Sequence, residues 1–239
     1  ISVSVYMLAG MYQEDAKSDQ TFEEIRKVFD QEKPEDTKDS ENANEVYINP
    51  GLLELHEQNP DCVGWIHIEG TKIDYPVMYH PEEKNYYLRR NFHKEYDISG
   101  TPYIAEICDL EDFDNLILYG HHMNSGAMFA HLDKYKSESF YQEHKTFTYS
   151  TLHGDETYEV MACFAVPVYT GNDFAYYAFT KAETHFEYET FVETCRKKSY
   201  YDTGVTADYG DQLITLSTCE YSHKNGRMVV VGRLLREDD

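Results

Sequence analysis

The run Gln212-Leu213-Ile214-Thr215-Leu216-Ser217-Thr218-Cys219-Glu220-Tyr221-Ser222-His223-Lys224-Asn225-Gly226-Arg227-Met228-Val229-Val230-Val231-Gly232-Arg233-Leu234 sets the frame for the chain. Its first half, Gln212 to Thr218, is rich in β-branched and apolar residues and reads as a strand. Arg227 to Leu234 reads as a second strand. Asn225-Gly226 between them is a turn signal, because both residues tolerate positive φ. Strands joined this way run antiparallel. Cys219 leaves the end of one and Arg227 starts the next, so thiol and guanidinium are expected to face each other across the hairpin mouth. A thiol beside a fixed positive charge at a strand end is poised to be reactive.

A reactive cysteine needs a proton partner, usually histidine. Asn115-Leu116-Ile117-Leu118-Tyr119-Gly120-His121-His122-Met123 is another short apolar strand that ends at a glycine and is followed at once by histidine. His121 is the expected acid/base, and His122 is the lesser candidate.

These three features in order are Tyr-Gly-His-x-Met, Thr-Leu-Ser-Thr-Cys-Glu, and an arginine on the next strand. The chain thereby resembles the sortases, the cysteine transpeptidases of Gram-positive cell surfaces. Leu-Ser-Thr-Cys-Glu and the chain length resemble class B, as does the pattern Asn-Pro-Asp-x-Val-Gly-Trp-Ile-x-Ile-x-Gly-Thr-x-Ile-Asp-Tyr-Pro-Val from Asn59 to Val77. The resemblance spans roughly residues 45 to 237. It implies a mostly β fold with α decoration: a closed eight-stranded barrel, N-terminal helices, and a helix between strands 6 and 7.

Composition narrows the alternatives. The 239 residues carry 21 Lys and Arg against 44 Asp and Glu, a formal charge of −23. Phosphate binding needs a basic patch, so nucleic acid is not an expected partner. Attachment to an anionic lipid surface through charge is disfavoured for the same reason. There are 22 tyrosines, whose apolar body and polar tip suit a β-rich domain with a wet surface. No run reaches the ~18 apolar residues of a membrane span. Sortases carry an N-terminal anchor, so the resemblance implies that one has been removed and that the protein sits at the membrane, on its extracellular face. Residues 1–44 are then a helical extension and linker, and 45–239 the catalytic barrel.

Along the chain, Phe22, Ile25, Val28 and Phe29 recur at helical spacing, with Thr21 as a candidate cap and Glu24 at N3. Pro34 to Glu45 reads as a linker. Pro50 to His56 suggests a short helix with proline near its start. Val63–Ile68 and Lys72–Met78 read as strands, with Pro76 at an edge or bulge and Trp65 in the core. Tyr103–Ala105 and Asn115–Tyr119 are further strands. Met128–Tyr135 reads as a helix continued by Phe140–His144. Thr146–Ser150 and Glu156–Val168 are strands. In 181–199, Tyr188, Phe191, Val192 and Cys195 share a helical face, with acids early and Arg196-Lys197-Lys198 late, as the helix dipole favours.

Five cysteines are too few and odd in number for a disulfide scaffold. Cys62, Cys108, Cys163 and Cys195 are expected to be structural, with a disulfide among them as the alternative.

The resemblance assigns Cys219 as nucleophile, His121 as acid/base and Arg227 as third member. The guanidinium there binds a carbonyl or stabilises an oxyanion. Ser217 and Glu220 match family positions near the sorting peptide, Leu88 lies in a segment resembling one beside the groove, and Tyr176 and Tyr177 are expected to line it. Arg233 is expected to pair with an acid. The implied reaction is acyl transfer from the Thr carbonyl of a C-terminal sorting motif, through a thioester, to a peptidoglycan amine. The implied partners are the sorting-signal peptide of a secreted surface protein and the amine acceptor; the enzyme is a monomer, with no cofactor or metal. A cysteine endopeptidase or a pilin-polymerising sortase would use the same residues. A zinc protein could be drawn from Cys219, His223, His121 and His122, but the chain has no Cys-x-x-Cys or His-Glu-x-x-His.

Overall fold

The computed structural model describes residues 17–30, 48–168, 174–220 and 225–236; of Glu220 only the backbone is described. The expected linker, 34–45, lies outside the described residues. Eight strands close into one barrel in the order β1-β2-β3-β4-β7-β8-β6-β5. They are β1 (Cys62–His67), β2 (Asp74–Met78), β3 (Tyr103–Ile104), β4 (Asn115–Tyr119), β5 (Thr146–Thr151), β6 (Gly154–Pro167), β7 (Leu213–Glu220) and β8 (Gly226–Leu234). Two neighbouring pairs are parallel, β2–β3 and β4–β7, and the rest are antiparallel. The closed sheet of the sequence reading is thus the observed one.

Alternation along the strands decides which side chains face inward. On β8, Met228 and Val230 join the core that includes Trp65, Ile66 and Leu118, while Val229 and Val231 join a second core under the helix before β7. On β7, Ile214 and Leu216 point to the first core and Leu213 to the second. Ser217 and Cys219 therefore share the outer face with Leu213, and Arg227 shares it with Val229. On β6 the alternation changes phase: Tyr158 and Val160 face the first core, a register shift between Val160 and Ala162 puts Met161 and Ala162 together in the second, and beyond it Cys163 faces the first and Phe164 the second.

Helices cover the barrel from two sides. Residues 17–30 form α1, whose Phe22, Ile25 and Phe29 are buried. Phe29 stacks on Trp65 at 4.3 Å between centroids, and Phe22 meets Tyr75 edge-on. Thr21 lies inside α1 and its hydroxyl donates to the Lys17 carbonyl, so it does not cap the helix. Next comes α2 (Pro50–Gln58), capped by Asn49, whose side chain accepts from the Leu52 N–H. The expected helix from Met128 is a 3₁₀ helix, Phe129–Lys136, and α3 (Glu138–Glu143) is separate from it. Ser137 between them is extended, which breaks the continuous hydrogen bonding a single helix would need. The helix expected between strands 6 and 7 is α4 (His185–Lys198), capped by Thr184. It buries Tyr188, Phe191, Val192 and Cys195, the face read from the spacing.

The hairpin turn differs from expectation. Asn225 adopts φ 57°, but Gly226 is already in β8, opposite Glu220. The connection is therefore longer than a two-residue turn, and residues 221–224 lie outside the described set. All five cysteines are free, so the disulfide alternative does not hold. Burial pushes the Cys62 and Cys163 thiols up to about 12 and Cys108 to about 11, while Cys219 alone is partly exposed.

Candidate active site

Cys219 on β7 and Arg227 on β8 are directly opposed in the antiparallel ladder. β4 lies on the other side of β7, with Tyr119 opposite Ser217. The chain leaves β4 through Gly120, whose N–H donates to the Ser217 carbonyl at 3.2 Å while the Thr218 hydroxyl donates to the Gly120 carbonyl at 2.8 Å. These bonds clamp the start of the His121 loop to the strand that carries Cys219. Gly120 is also pressed against Phe129; a Cβ there would sit 2.6 Å from the ring.

His121, Cys219 and Arg227 line one cavity of about 350 Å³. His121 is half-buried, and its Nε2–H donates to the Leu88 carbonyl at 2.7 Å. Burial pushes the His121 pKa down; the Leu88 carbonyl opposes this, Arg89 reinforces it and Asp97 opposes it, and the net direction is downward. The Arg227 guanidinium is partly held by the Gly226 carbonyl at 2.9 Å. The His122 Nδ1–H donates to the Cys219 carbonyl at 3.1 Å, a bond to the backbone of the strand that carries Cys219.

The expected peptide-binding residues fall in the same place. Leu88, Tyr176, Tyr177 and Ser217 line the cavity. Tyr176 and Ser217 share a 2.7 Å hydrogen bond and are both buried. The segment carrying the two tyrosines is pinned to the start of β4: Asn115 donates to the Phe179 carbonyl, and Asp114 accepts from the Ala182 N–H. Glu220 is in β7, and its side chain is outside the described residues, as is His223. Arg233 lies near Glu159 at 3.4 Å, away from the cavity.

The sequence reading missed Lys84, Asn85, Tyr103, Glu106 and Ile107, which also line the cavity. Tyr103 and Tyr119 are opposed on β3 and β4, and Tyr103 donates to the Asn85 side chain at 2.8 Å. The aromatic residue on the strand beside Tyr-Gly-His was the available signal.

The fold and site define a β-barrel cysteine enzyme of the acyl-transfer class. The Sortase domain family matches residues 66–235. Sortase B of Listeria monocytogenes is 36% identical over 212 residues, covering 87% of this chain and 84% of that protein. A Staphylococcus aureus sortase B–substrate complex superposes with a TM-score of 0.82 at 27% identity, covering 94% of this chain and 99% of that one. Sortase B from B. anthracis gives 0.79 at 30%, covering 95% and 100%. The chain belongs to the sortase family, class B: cysteine transpeptidases that anchor surface proteins to the cell wall.

Proposed function

We propose that Cys219, His121 and Arg227 carry the transpeptidation. The Cys219 thiolate attacks the carbonyl carbon of the threonine in a sorting motif, and Arg227 faces the oxygen on which negative charge develops. Collapse of that intermediate breaks the C–N bond. His121 gives its proton to the leaving amine, and a thioester remains on Cys219. An amine of a peptidoglycan peptide then attacks the thioester carbon and His121 takes its proton. The C–S bond breaks, the thiolate returns and a new amide is formed. Covalent catalysis divides one hard displacement into two easier ones.

The observation that carries this reading is the Cys219–Arg227 cross-strand pair opening into the cavity that His121 also lines. In this reading Leu88, Ser217, Tyr176 and Tyr177, which line that cavity, receive the peptide together with Glu220, next to Cys219 in the chain. Support for a peptide ligand comes from the S. aureus relative, whose structure is a substrate complex. The protein works as a monomer on the outer face of the membrane, with 1–44 as extension and linker to an anchor and 45–239 as the catalytic domain. Among the described residues no helix is long and apolar enough to cross a membrane.

The test is turnover of quenched fluorescent peptides of Asn-Pro-x-Thr-x and x-Pro-x-Thr-Gly type, with and without an amine, by wild type and Cys219→Ala. An amine-ligated product lost in the variant supports the reading. Hydrolysis alone, whatever amine is supplied, points to an endopeptidase. Turnover that survives in Cys219→Ala overturns the assignment.

A further inference from the structure

The imidazole of His121 is tied to the rest of the fold by its bond to the Leu88 carbonyl, at 2.7 Å from Nε2. A carbonyl only accepts. Neutral histidine has one N–H and one lone pair, so a neutral ring making this bond carries its proton on Nε2. Nδ1 is then the nitrogen with the lone pair. Whatever holds the Leu88 carbonyl in place therefore chooses the working nitrogen.

Leu88 sits in a 3₁₀ helix, Tyr86–Arg89, whose own hydrogen bonds are few. Tyr87 is the buried member, 1% exposed. Its hydroxyl donates to Asp61 at 2.8 Å and accepts from the Asn59 side-chain amide at 3.0 Å. Asn59 also donates to the Phe92 carbonyl at 2.6 Å, and Asp61 is held by Lys94 and His80, each at 3.1 Å. The Tyr87 carbonyl accepts from the Thr101 N–H at 3.1 Å. Gly100, at φ +59°, presses against the same turn: a Cβ there would meet the Leu88 oxygen at 2.5 Å. Tyr87 does not line the cavity. It is locked at both ends, and its neighbour in the chain presents the carbonyl that His121 uses.

We propose that Tyr87, clamped by Asp61 and Asn59, is a positioning residue that sets the Leu88 carbonyl so that His121 keeps its proton on Nε2 and exchanges protons through Nδ1. This rests on the acid–base role of His121 given above. Both proton transfers of the reaction, to the leaving amine and from the incoming one, then pass through a single nitrogen. The charged groups that bear on the ring are Arg89 and Asp97, the latter held by Ser18 and the Ser99 N–H.

The experiment is a long-range ¹H–¹⁵N correlation spectrum of the histidine-labelled protein across pH, with His121→Ala for assignment. Neutral His121 is expected to show a protonated Nε2 and a bare Nδ1. A proton on Nδ1, or an even mixture, overturns the proposal whatever the activity. Tyr87→Phe is expected to keep the barrel fold by circular dichroism and to mix the two tautomers. It should lower kcat about tenfold, a part of the roughly 10²–10⁴-fold that general acid–base catalysis contributes, with KM little changed. Loss of the carbonyl contact should also move the His121 titration to lower pH. A folded Tyr87→Phe with the wild-type tautomer and pH profile overturns the role of Tyr87. If that variant does not fold, Asp61→Asn, which keeps an acceptor, should preserve the tautomer that Asp61→Ala loses; equal behaviour of the two overturns it. Full activity in His121→Ala would instead overturn the acid–base assignment, which the tautomer readout does not depend on.

Discussion

Cys219 and Arg227 are direct partners across the β7–β8 ladder, on the face of the sheet away from the barrel interior. Neither side chain is placed by a flexible loop: each is fixed by strand register, and a one-residue slip would turn it to the opposite face. Arg227→Ala is therefore expected to remove one oxyanion donor without disturbing the nucleophile. The expected loss in kcat is about 10²–10³-fold, the range for a single such donor. Arg227→Lys keeps the charge but not the planar fork, and should recover only part of it. Single-turnover thioester formation checks this, because the loss must appear in acylation. A loss confined to KM would mean that Arg227 only binds peptide.

Tyr176 and Ser217 share a hydrogen bond in a buried site. Removing one partner leaves the other short of a bond in a place water does not freely reach. Such a change costs about 1–3 kcal/mol. Tyr176→Phe and Ser217→Ala are each expected to lower stability by about 1 kcal/mol or more, and the double variant by less than the sum. Denaturant titration of the four proteins checks this coupling. Strict additivity would show that the bond does not link the Tyr176 segment to β7.

Legibility in the sequence followed how local the cause was. α4 was readable because Tyr188, Phe191, Val192 and Cys195 recur at helical spacing and the last turn is basic. That Cys219, His121 and Arg227 meet at one cavity was readable because each ends or starts an apolar strand, and strand pairing then brings them together. Thr21 was misread because a cap motif has the same letters inside a helix, where its hydroxyl bonds back to Lys17. Gly226 was misread as turn because its place opposite Glu220 comes from ladder pairing, not from local preference. Lys84, Asn85 and Glu106 were missed for another reason. They lie on connections that reach the cavity only through tertiary packing, such as the Tyr103–Asn85 bond.

Gly120 lies between the end of β4 and His121, and the Phe129 ring fills the space where a side chain would go. Gly120→Ala forces either the ring or the backbone to move. Overpacking of this kind costs about 1–3 kcal/mol. The displaced backbone also carries the bonds to Ser217 and Thr218 that register His121 against Cys219. Gly120→Ala should thus lower both melting temperature and kcat. Gly120→Ala combined with Phe129→Leu should recover part of both. A variant with wild-type stability and activity would show that the ring moves freely and that this contact does not set the loop.

The docking of α1 is expected to depend on pH through Asp74. That carboxylate accepts from Trp65 Nε1 at 2.7 Å, lies 3.1 Å from His67 Nδ1, and is 2.6 Å from Arg26 Nε of α1. Burial raises its pKa, but His67, Trp65 and Arg26 outweigh that and the net shift is downward. The Asp74 bond raises the His67 pKa, burial opposes it and Glu69 adds to the rise, so His67 ends above its ordinary value. The signs then differ. Asp74 contributes stability above the ordinary carboxylate pKa of about 3.9, and this is lost as pH falls through its depressed value. His67 contributes stability below about 6.5, lost as pH rises through its raised value. Melting temperature should therefore fall on both sides of a window between these limits. Asp74→Ala removes a charged acceptor from Trp65 and His67, at about 1.5–3 kcal/mol for such bonds, together with the ion pair to Arg26, and should flatten both limbs. Hydrogen exchange of α1 amides reports the same event locally. Protection in 17–30 that is unchanged in Asp74→Ala would show that the helix is held without the Asp74 side chain, by the Phe29–Trp65 and Phe22–Tyr75 contacts and the bonds from Ser18 to Asp97 and from Arg26 to the Asp74 carbonyl.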